Sequence, residues 1–114
     1  MRYMLFIYGD EGAMADATPE QNQAVADEYE AFTQSIRTSG QFLDGDPFLP
    51  TSTATTVREG GGQKAGGPAV ATTPQLTAYY KVETKDADEA VALAARCPGA
   101  KYGAVEVRQI MEFD

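Results

Sequence analysis

The pattern of hydrophobic and polar positions predicts a strand and then a helix in the first part of the chain. Residues 3–8 are apolar throughout, which places Tyr3, Leu5 and Ile7 on one face of a strand and the residues between them on the other. Residues 18–21 read Thr-Pro-Glu-Gln, the pattern of an N-cap with a capping box, so a helix should begin there. Spacings of four, three and four give that helix one apolar stripe, formed by Val25, Tyr29, Phe32 and Ile36. Ser39 and Gly40 should end it.

The rest of the chain predicts further strands around a second helix. Strands are expected from 41–43, running into a bend or bulge at the Gly- and Pro-containing segment 44–47, and at 53–58. The glycine-rich stretch 59–68 indicates a flexible hairpin tip. A strand is predicted over 76–83 and another over 102–111. Between them, Asp86 should cap a helix that ends at Cys97, with an apolar stripe formed by Ala87, Ala90, Val91, Ala94 and Ala95.

This order of elements predicts a single α+β domain over residues 1–114. Two successive β-α-β units are typical of the ferredoxin-like split βαβ fold, an antiparallel sheet with two helices on one face. Because the first strand is apolar on both faces, the face without helices also needs cover, and the simplest cover is the same face of a second copy. We therefore expect a homodimer whose two sheets form a dimeric α+β barrel. In a monomer, Met4, Phe6, Tyr8 and Tyr79 would line an exposed patch.

Composition and charge narrow the possible functions. The chain has 17 acidic and 9 basic residues, a net charge of −8, one cysteine and no histidine. An acidic surface repels phosphate groups, so neither nucleic acid nor an anionic membrane is an expected partner. The absence of histidine excludes Ser-His and Cys-His catalysis and histidine-ligated metals. A lone cysteine, Cys97, and the lack of a signal-peptide pattern predict a cytoplasmic protein, and no pattern indicates a cofactor.

Asp44 and Asp46 are the best candidates for catalytic residues. They lie two positions apart, so both carboxylates project from one face of an extended segment, close enough to act on a proton or a cation. A hard cation prefers about six oxygen ligands, which two carboxylates do not supply, so no metal site is predicted. The alternative is turn chemistry, in which both side chains bond to nearby backbone amides.

Tyrosine and arginine side chains are the candidates for ligand binding. Tyr8, Tyr79 and Tyr80 lie on predicted strands, where a phenol could orient a polar group of a small molecule, although strand tyrosines also serve simply as packing residues. Arg108 is a further candidate; paired with Glu106 it would otherwise form a cross-strand or dimer ion pair. We select Tyr8, Tyr79 and Arg108 as the ligand-binding residues.

Several segments together resemble the YCII-related family, in particular its branch with a DGPF motif. The resemblance covers nearly the whole chain and rests on the order and spacing of residues 2–11, 40–50, 54–58 and 102–108. It implies a dimeric α+β barrel of the ferredoxin-like type. The naming motif is eroded: where the family tends to read Asp-Gly-Pro-Phe-Ala-Glu-Thr-Lys, residues 66–73 keep only Gly67, Pro68 and Thr72. The histidine and aspartate that the resemblance implies for another branch cannot be transferred, because this chain has no histidine.

Two hypotheses for function follow. In the first, the protein binds a small organic molecule in a cleft between sheet and helices, with weak or undetermined catalysis by a carboxylate, Asp44 or Asp46, and a tyrosine. In the second, it is a non-catalytic accessory protein that docks the acidic face around Glu28 and Glu30 on a regulatory partner such as a sigma factor. The family resemblance implies such a role, since some relatives are encoded near sigma factors.

Overall fold

The computed structural model describes residues 1–61 and 64–113, which form six strands and four α-helices. The strands are β1 (Arg2–Gly9), β2 (Phe42–Pro47), β3 (Thr55–Val57), β4 (Lys64–Gly66), β5 (Gln75–Glu83) and β6 (Ala104–Gln109). The helices are α1 (Glu11–Asp16), α2 (Pro19–Thr38), α3 (Ala87–Arg96) and α4 (Pro98–Tyr102).

Four of the strands form one antiparallel sheet in the order β2-β5-β1-β6. The apolar first strand is central, between β5 and β6, and needs apolar side chains on both faces. This order, with both long helices packed on one face, confirms the predicted α+β fold with the ferredoxin-like split arrangement. Strands β3 and β4 form a separate two-stranded hairpin.

The core lies between the sheet and the helices. From β1 it takes the alternate residues Tyr3, Leu5 and Ile7, as predicted. Opposite them lie buried residues of α2, β5, α3 and the α3–α4 junction: Phe32, Ile36, Tyr80, Val82, Ala90, Leu93, Ala94 and Cys97. Within residues 1–61 and 64–113, no helix packs on the sheet face that bears Met4, Phe6 and Tyr8, and we call it the open face.

The two predicted N-caps are present. The backbone N–H of Gln21 donates to Thr18 Oγ1 and the Gln21 side chain accepts from the Thr18 N–H, which completes the capping box of α2. The Asp86 carboxylate accepts from the Glu89 N–H at the start of α3. These bonds satisfy backbone donors that the first helical turn leaves without partners, so the helices begin where the sequence indicates.

Helix α3 buries a different stripe from the one predicted. Ala87 and Ala95 are exposed and Val91 is 56% exposed, whereas Ala90, Leu93 and Ala94 are buried. Together with Cys97, the buried residues follow the i, i+3, i+4, i+7 spacing of one helix face. The prediction was confirmed for Ala90 and Ala94 and wrong for the other three residues, because a run of alanines fits several helix faces equally well, while Leu93 is the residue that fills the core.

The β2 strand and the hairpin show where the sequence prediction was correct and where it was too long. The pairing of β2 with β5 shifts register between Phe42 and Asp44, so the bulge lies just before the predicted segment 44–47, which itself pairs regularly with β5. The predicted strand 53–58 is shorter, because a 3₁₀ turn occupies Thr51–Thr53 before β3. Residues 62 and 63 of the predicted glycine-rich tip lie outside the described part of the chain.

Candidate functional site

The open face carries two rows of side chains that run across all four strands. The pairing of the strands aligns Asp44, Lys81, Met4 and Arg108 in one row, and Asp46, Tyr79, Phe6 and Glu106 in the next. Both rows share a face because side chains two positions apart on a strand point the same way. The two edges of this face are therefore charged, while its middle, on β5 and β1, holds Met4, Phe6 and Tyr79 together with Lys81.

Asp44, Asp46 and Tyr79 form a hydrogen-bonded cluster at the β2 edge. The Tyr79 hydroxyl donates to Asp44 Oδ2 at 2.9 Å and lies 3.3 Å from Asp46 Oδ2. The other oxygen of Asp44 accepts from the backbone N–H of Gly45 at 2.9 Å, so part of the expected turn-like bonding exists inside a strand. The cluster leaves carboxylate lone pairs free, since each ionised carboxylate offers about four acceptor positions.

Gly45 allows this cluster to form. A Cβ at position 45 would lie 2.7 Å from Cδ1 of the Tyr80 ring, which occupies the opposite face of β5. The glycine therefore lets β2 approach β5 over that ring while Asp44 and Asp46 point to the open face.

An aromatic wall borders the cluster. The Phe48 ring stacks on the Tyr79 ring with centroids 5.8 Å apart and planes inclined by 24°. The chain is held at this place by a hydrogen bond from the Phe48 N–H to the Thr77 carbonyl oxygen. Phe48 is 49% exposed, so one side of its ring remains available for contact. Stacked rings and nearby carboxylates together offer both apolar and hydrogen-bonding contacts.

The carboxylates hold the Tyr79 phenol in its neutral form. The hydrogen bond to Asp44, followed by partial burial and the negative charges of Asp44 and Asp46, raises the pKa of Tyr79 from 10.0 to about 12. Deprotonation would both break the bonds and place a third negative charge in the cluster. Tyr79 is therefore a hydrogen-bond donor to the carboxylates at neutral pH.

Tyr8, Glu106 and Arg108 form a second cluster on the same face, towards the β6 edge. The Tyr8 hydroxyl donates to Glu106 Oε1 at 3.3 Å, and Arg108 Nη1 lies 3.3 Å from Glu106 Oε2. Partial burial and the Glu106 charge raise the pKa of Tyr8 above 10.0. Arg108 is 68% exposed, so this ion pair contributes at most about 1 kcal/mol.

Comparison with known proteins assigns the chain to a family. The model of the YCII-related domain matches residues 1–114. The chain belongs to the YCII-related family. A search of curated proteins found no match to this chain. Among solved structures, it is similar to 5-chloro-2-hydroxyhydroquinone dehydrochlorinase from Burkholderia phenoliruptrix AC1100 in complex with 2,5-dihydroxybenzoquinone. The TM-score is 0.53 at 14% identity, over 99% of this chain and 96% of that one, a likeness that shows a shared fold.

The site residues expected in this YCII-related chain all lie on the open face. Asp44, Asp46 and Tyr79 come together, whereas Tyr8 and Arg108 belong to the second cluster. The expected cleft between sheet and helices does not contain them, because that side of the sheet is filled by the alternate residues of the same strands. The third tyrosine considered, Tyr80, lies there: its hydroxyl is 2.6 Å from Thr33 Oγ1 and its ring packs against Phe32, which makes it a packing residue.

Two residues at the YCII-related site were not selected from the sequence. Phe48 directly follows β2 and has the same parity as Asp44 and Asp46, so alternation could have placed it on this face, where its ring stacks on Tyr79. Lys81 could have been found, because it has the same parity as Tyr79 on β5 and pairs with Asp44 across the strands. Along the row that contains Asp44, it is the first cationic residue, directly next to that carboxylate.

Among residues 1–61 and 64–113 there is no group of three or more acidic or cysteine side chains arranged to hold a metal ion. In the same part of the chain, no helix has the length and apolar character required to cross a membrane.

Proposed function

We propose that this YCII-related protein binds a small, neutral, hydroxylated aromatic molecule at the Asp44–Asp46–Tyr79 cluster. The observation that supports the proposal most directly is the pair of carboxylates anchored by one phenol beside an exposed aromatic ring. Hydroxyl groups of the ligand would donate to the free lone pairs of Asp44 and Asp46, while its ring would pack against Phe48.

The charge of the cluster selects among such ligands. Two carboxylates lie within hydrogen-bond reach of one hydroxyl, and no ion pair to either of them is present among the described residues. An anionic ligand would be repelled, whereas a neutral phenol or diol supplies the donors that the carboxylates accept. Asp44 and Asp46 are also the groups that would accept a proton from a bound hydroxyl in a reaction.

The structural neighbour supports the size and shape of the ligand, and not its charge. That dehydrochlorinase is in complex with a dihydroxylated six-membered ring. The shared fold supports the idea that the scaffold accepts a ligand of this size and shape, and the residues that would bind it here are argued from this chain alone.

The proposal is tested with catechol as the ligand and 1,2-dimethoxybenzene as its matched control, which lacks donors. Isothermal titration calorimetry should show saturable binding of catechol alone. Asp44→Asn and Asp46→Asn should each weaken it about tenfold, the size expected for a hydrogen bond to a charged acceptor. Glu30→Gln, an equal charge change on the exposed face of α2, should leave binding unchanged. Equal affinity for both compounds, or full binding by both aspartate variants, would contradict the proposal.

We further propose that the protein is a cytoplasmic homodimer joined through its open faces. Its accessible surface is 7593 Å², against about 6,100 Å² for a compact monomer of this mass. The excess of about 1,500 Å² is larger than the ~800 Å² per partner that a standard interface buries. The contact would be made by Met4 and Phe6 of the central strand β1, which leaves the β2 edge with Asp44 and Asp46 at the rim, accessible to a ligand. A buried free thiol at Cys97 is compatible with a reducing compartment.

A further inference from the structure

The helical side of the molecule contains a groove that the proposed function does not use. It is a shallow groove, open to solvent, between α2 and the junction of α3 with α4, with a volume of about 480 Å³. Four residues on one face of α2 form one wall: Glu28, Ala31, Phe32 and Ser35. The other wall comes from the end of α3, the junction residue and α4: Ala95, Arg96, Cys97, Pro98 and Lys101. Its floor is apolar and its rim is charged.

Arg96 is held across this groove by neutral partners. Its Nη1 atom lies 3.4 Å from Ser35 Oγ, and its guanidinium carbon lies 5.9 Å from the centre of the Phe32 ring. No carboxylate of the described chain lies within 4 Å of it. In a protein with nearly twice as many acidic as basic residues, this arginine keeps most of its five N–H donors available.

The remaining charges of the groove are already paired with each other. Glu28 Oε1 accepts from the Tyr102 hydroxyl at 2.8 Å and lies 3.5 Å from Lys101 Nζ. Arg96 and Lys101 against Glu28 give the groove a net charge of +1 on a chain of net charge −8. This places a local positive site on the molecule, opposite in sign to the Asp44–Asp46–Tyr79 cluster.

We infer that the α2/α3–α4 groove binds a small aromatic carboxylate, with the carboxylate on Arg96 and the ring on the apolar floor. A planar guanidinium matches a carboxylate through two parallel hydrogen bonds. The ring would contact Ala31, Ala95 and Pro98, surfaces that inorganic phosphate would leave unused. This site is separate from the open face and does not depend on the proposed function.

The test is a ¹H–¹⁵N NMR titration of the full chain with 2-naphthoate, using neutral 2-naphthamide as the matched control. Shift changes should be confined to residues of α2, α3 and α4, and the naphthoate should bind at least tenfold more tightly than the amide. Affinities within twofold of each other, shifts centred on the open face, or no saturation up to about 10 mM, where even a millimolar site would fill, would overturn the inference.

Variants distinguish the contribution of the Arg96 charge to binding from that of the shape of the groove. Arg96→Gln should weaken 2-naphthoate binding at least tenfold and leave the amide unchanged, while Lys85→Gln, an equal charge change elsewhere on the surface, should have no effect. Ala31→Leu, at an exposed helical position, should fill the groove and weaken both compounds. Asp44→Asn should leave naphthoate binding intact, which distinguishes this site from the catechol site. Full naphthoate binding by Arg96→Gln would overturn the inference.

Discussion

At the scale of single residues, Tyr79 joins the two carboxylates of the open face to its exposed aromatic ring. Its hydroxyl bonds to Asp44 and Asp46 on the neighbouring strand, and its ring stacks on Phe48. The neutral phenol is the form that makes these bonds, so the cluster is complete below the ordinary tyrosine pKa of 10.0 and is lost as the pH rises through about 12.

The two aspartates should make unequal contributions to this shift. Asp44 is the closer partner, at 2.9 Å against 3.3 Å for Asp46, so Asp44→Asn should lower the pKa of Tyr79 towards 10 by more than Asp46→Asn does. The measurement is a ¹³C NMR titration of the tyrosine Cζ signals, with Tyr79 assigned from the spectrum of Tyr79→Phe. Glu106→Gln is the matched control: it should lower the pKa of Tyr8 alone. A Tyr79 pKa that does not change in Asp44→Asn would show that the phenol is not held by the carboxylates.

Alternation along each strand was enough to predict which residues share a face, but not what lies beside them. Asp44 and Asp46 were selected together because they are two positions apart. Their contact with Tyr79 depends on β2 lying next to β5, with a bulge that sets the register. No local sequence pattern predicts which strands are neighbours. For the same reason, the expected cleft between sheet and helices was the wrong face for these residues.

At the scale of elements, the shortest helices were the ones that the sequence did not predict. Helix α1 has six residues and α4 has five, too few for an apolar stripe to repeat. Local signals were nevertheless present: the Asp10 side chain caps α1, and Pro98 occupies the first turn of α4. Pro98 was interpreted as the end of α3, which is correct, but it also begins the next helix.

The junction between α4 and β6 requires a glycine. A Cβ at position 103 would overlap the carbonyl oxygen of Tyr8 and lie 3.3 Å from the Gly9 Cα atom, so the clash is with backbone that cannot rotate away. Gly103→Ala should therefore lower the free energy of unfolding by about 3 kcal/mol. Gly66→Ala is the control, since a Cβ there meets no atom of the described chain within 4 Å; it should change stability by less than about 0.5 kcal/mol. Urea unfolding measures both, and equal stabilities would refute this account of the junction.

At the scale of the whole molecule, the sequence correctly predicted one sheet with helices on one of its faces. The two faces of the central strand β1 have different surroundings. One face fills the core, while the other carries Met4, Phe6 and Tyr8, and no helix of the described part of the chain covers it. The result is a flat molecule, 47 × 43 × 18 Å, with a radius of gyration of 15.6 Å against about 13 Å for a compact chain of this length. A thickness of 18 Å corresponds to one sheet and one helical layer. The proposed dimer would add the sheet and the helical layer of a second copy.

The proposed dimer predicts that a charge in the middle of the open face separates the two copies. Phe6 lies there, between Tyr79 and Glu106 in its row, so Phe6→Asp would bury an unpaired carboxylate in the interface while leaving the helical core unchanged. Native mass spectrometry should give twice the 12.2 kDa chain mass for the wild type and the single mass for this variant. Val91→Asp, on the exposed side of α3, should remain dimeric because the interface does not include that helix. A monomeric wild type, or a Phe6→Asp variant that stays dimeric, would mean that the open face is not the contact between copies. Something other than the open face of a second copy would then have to cover the excess surface.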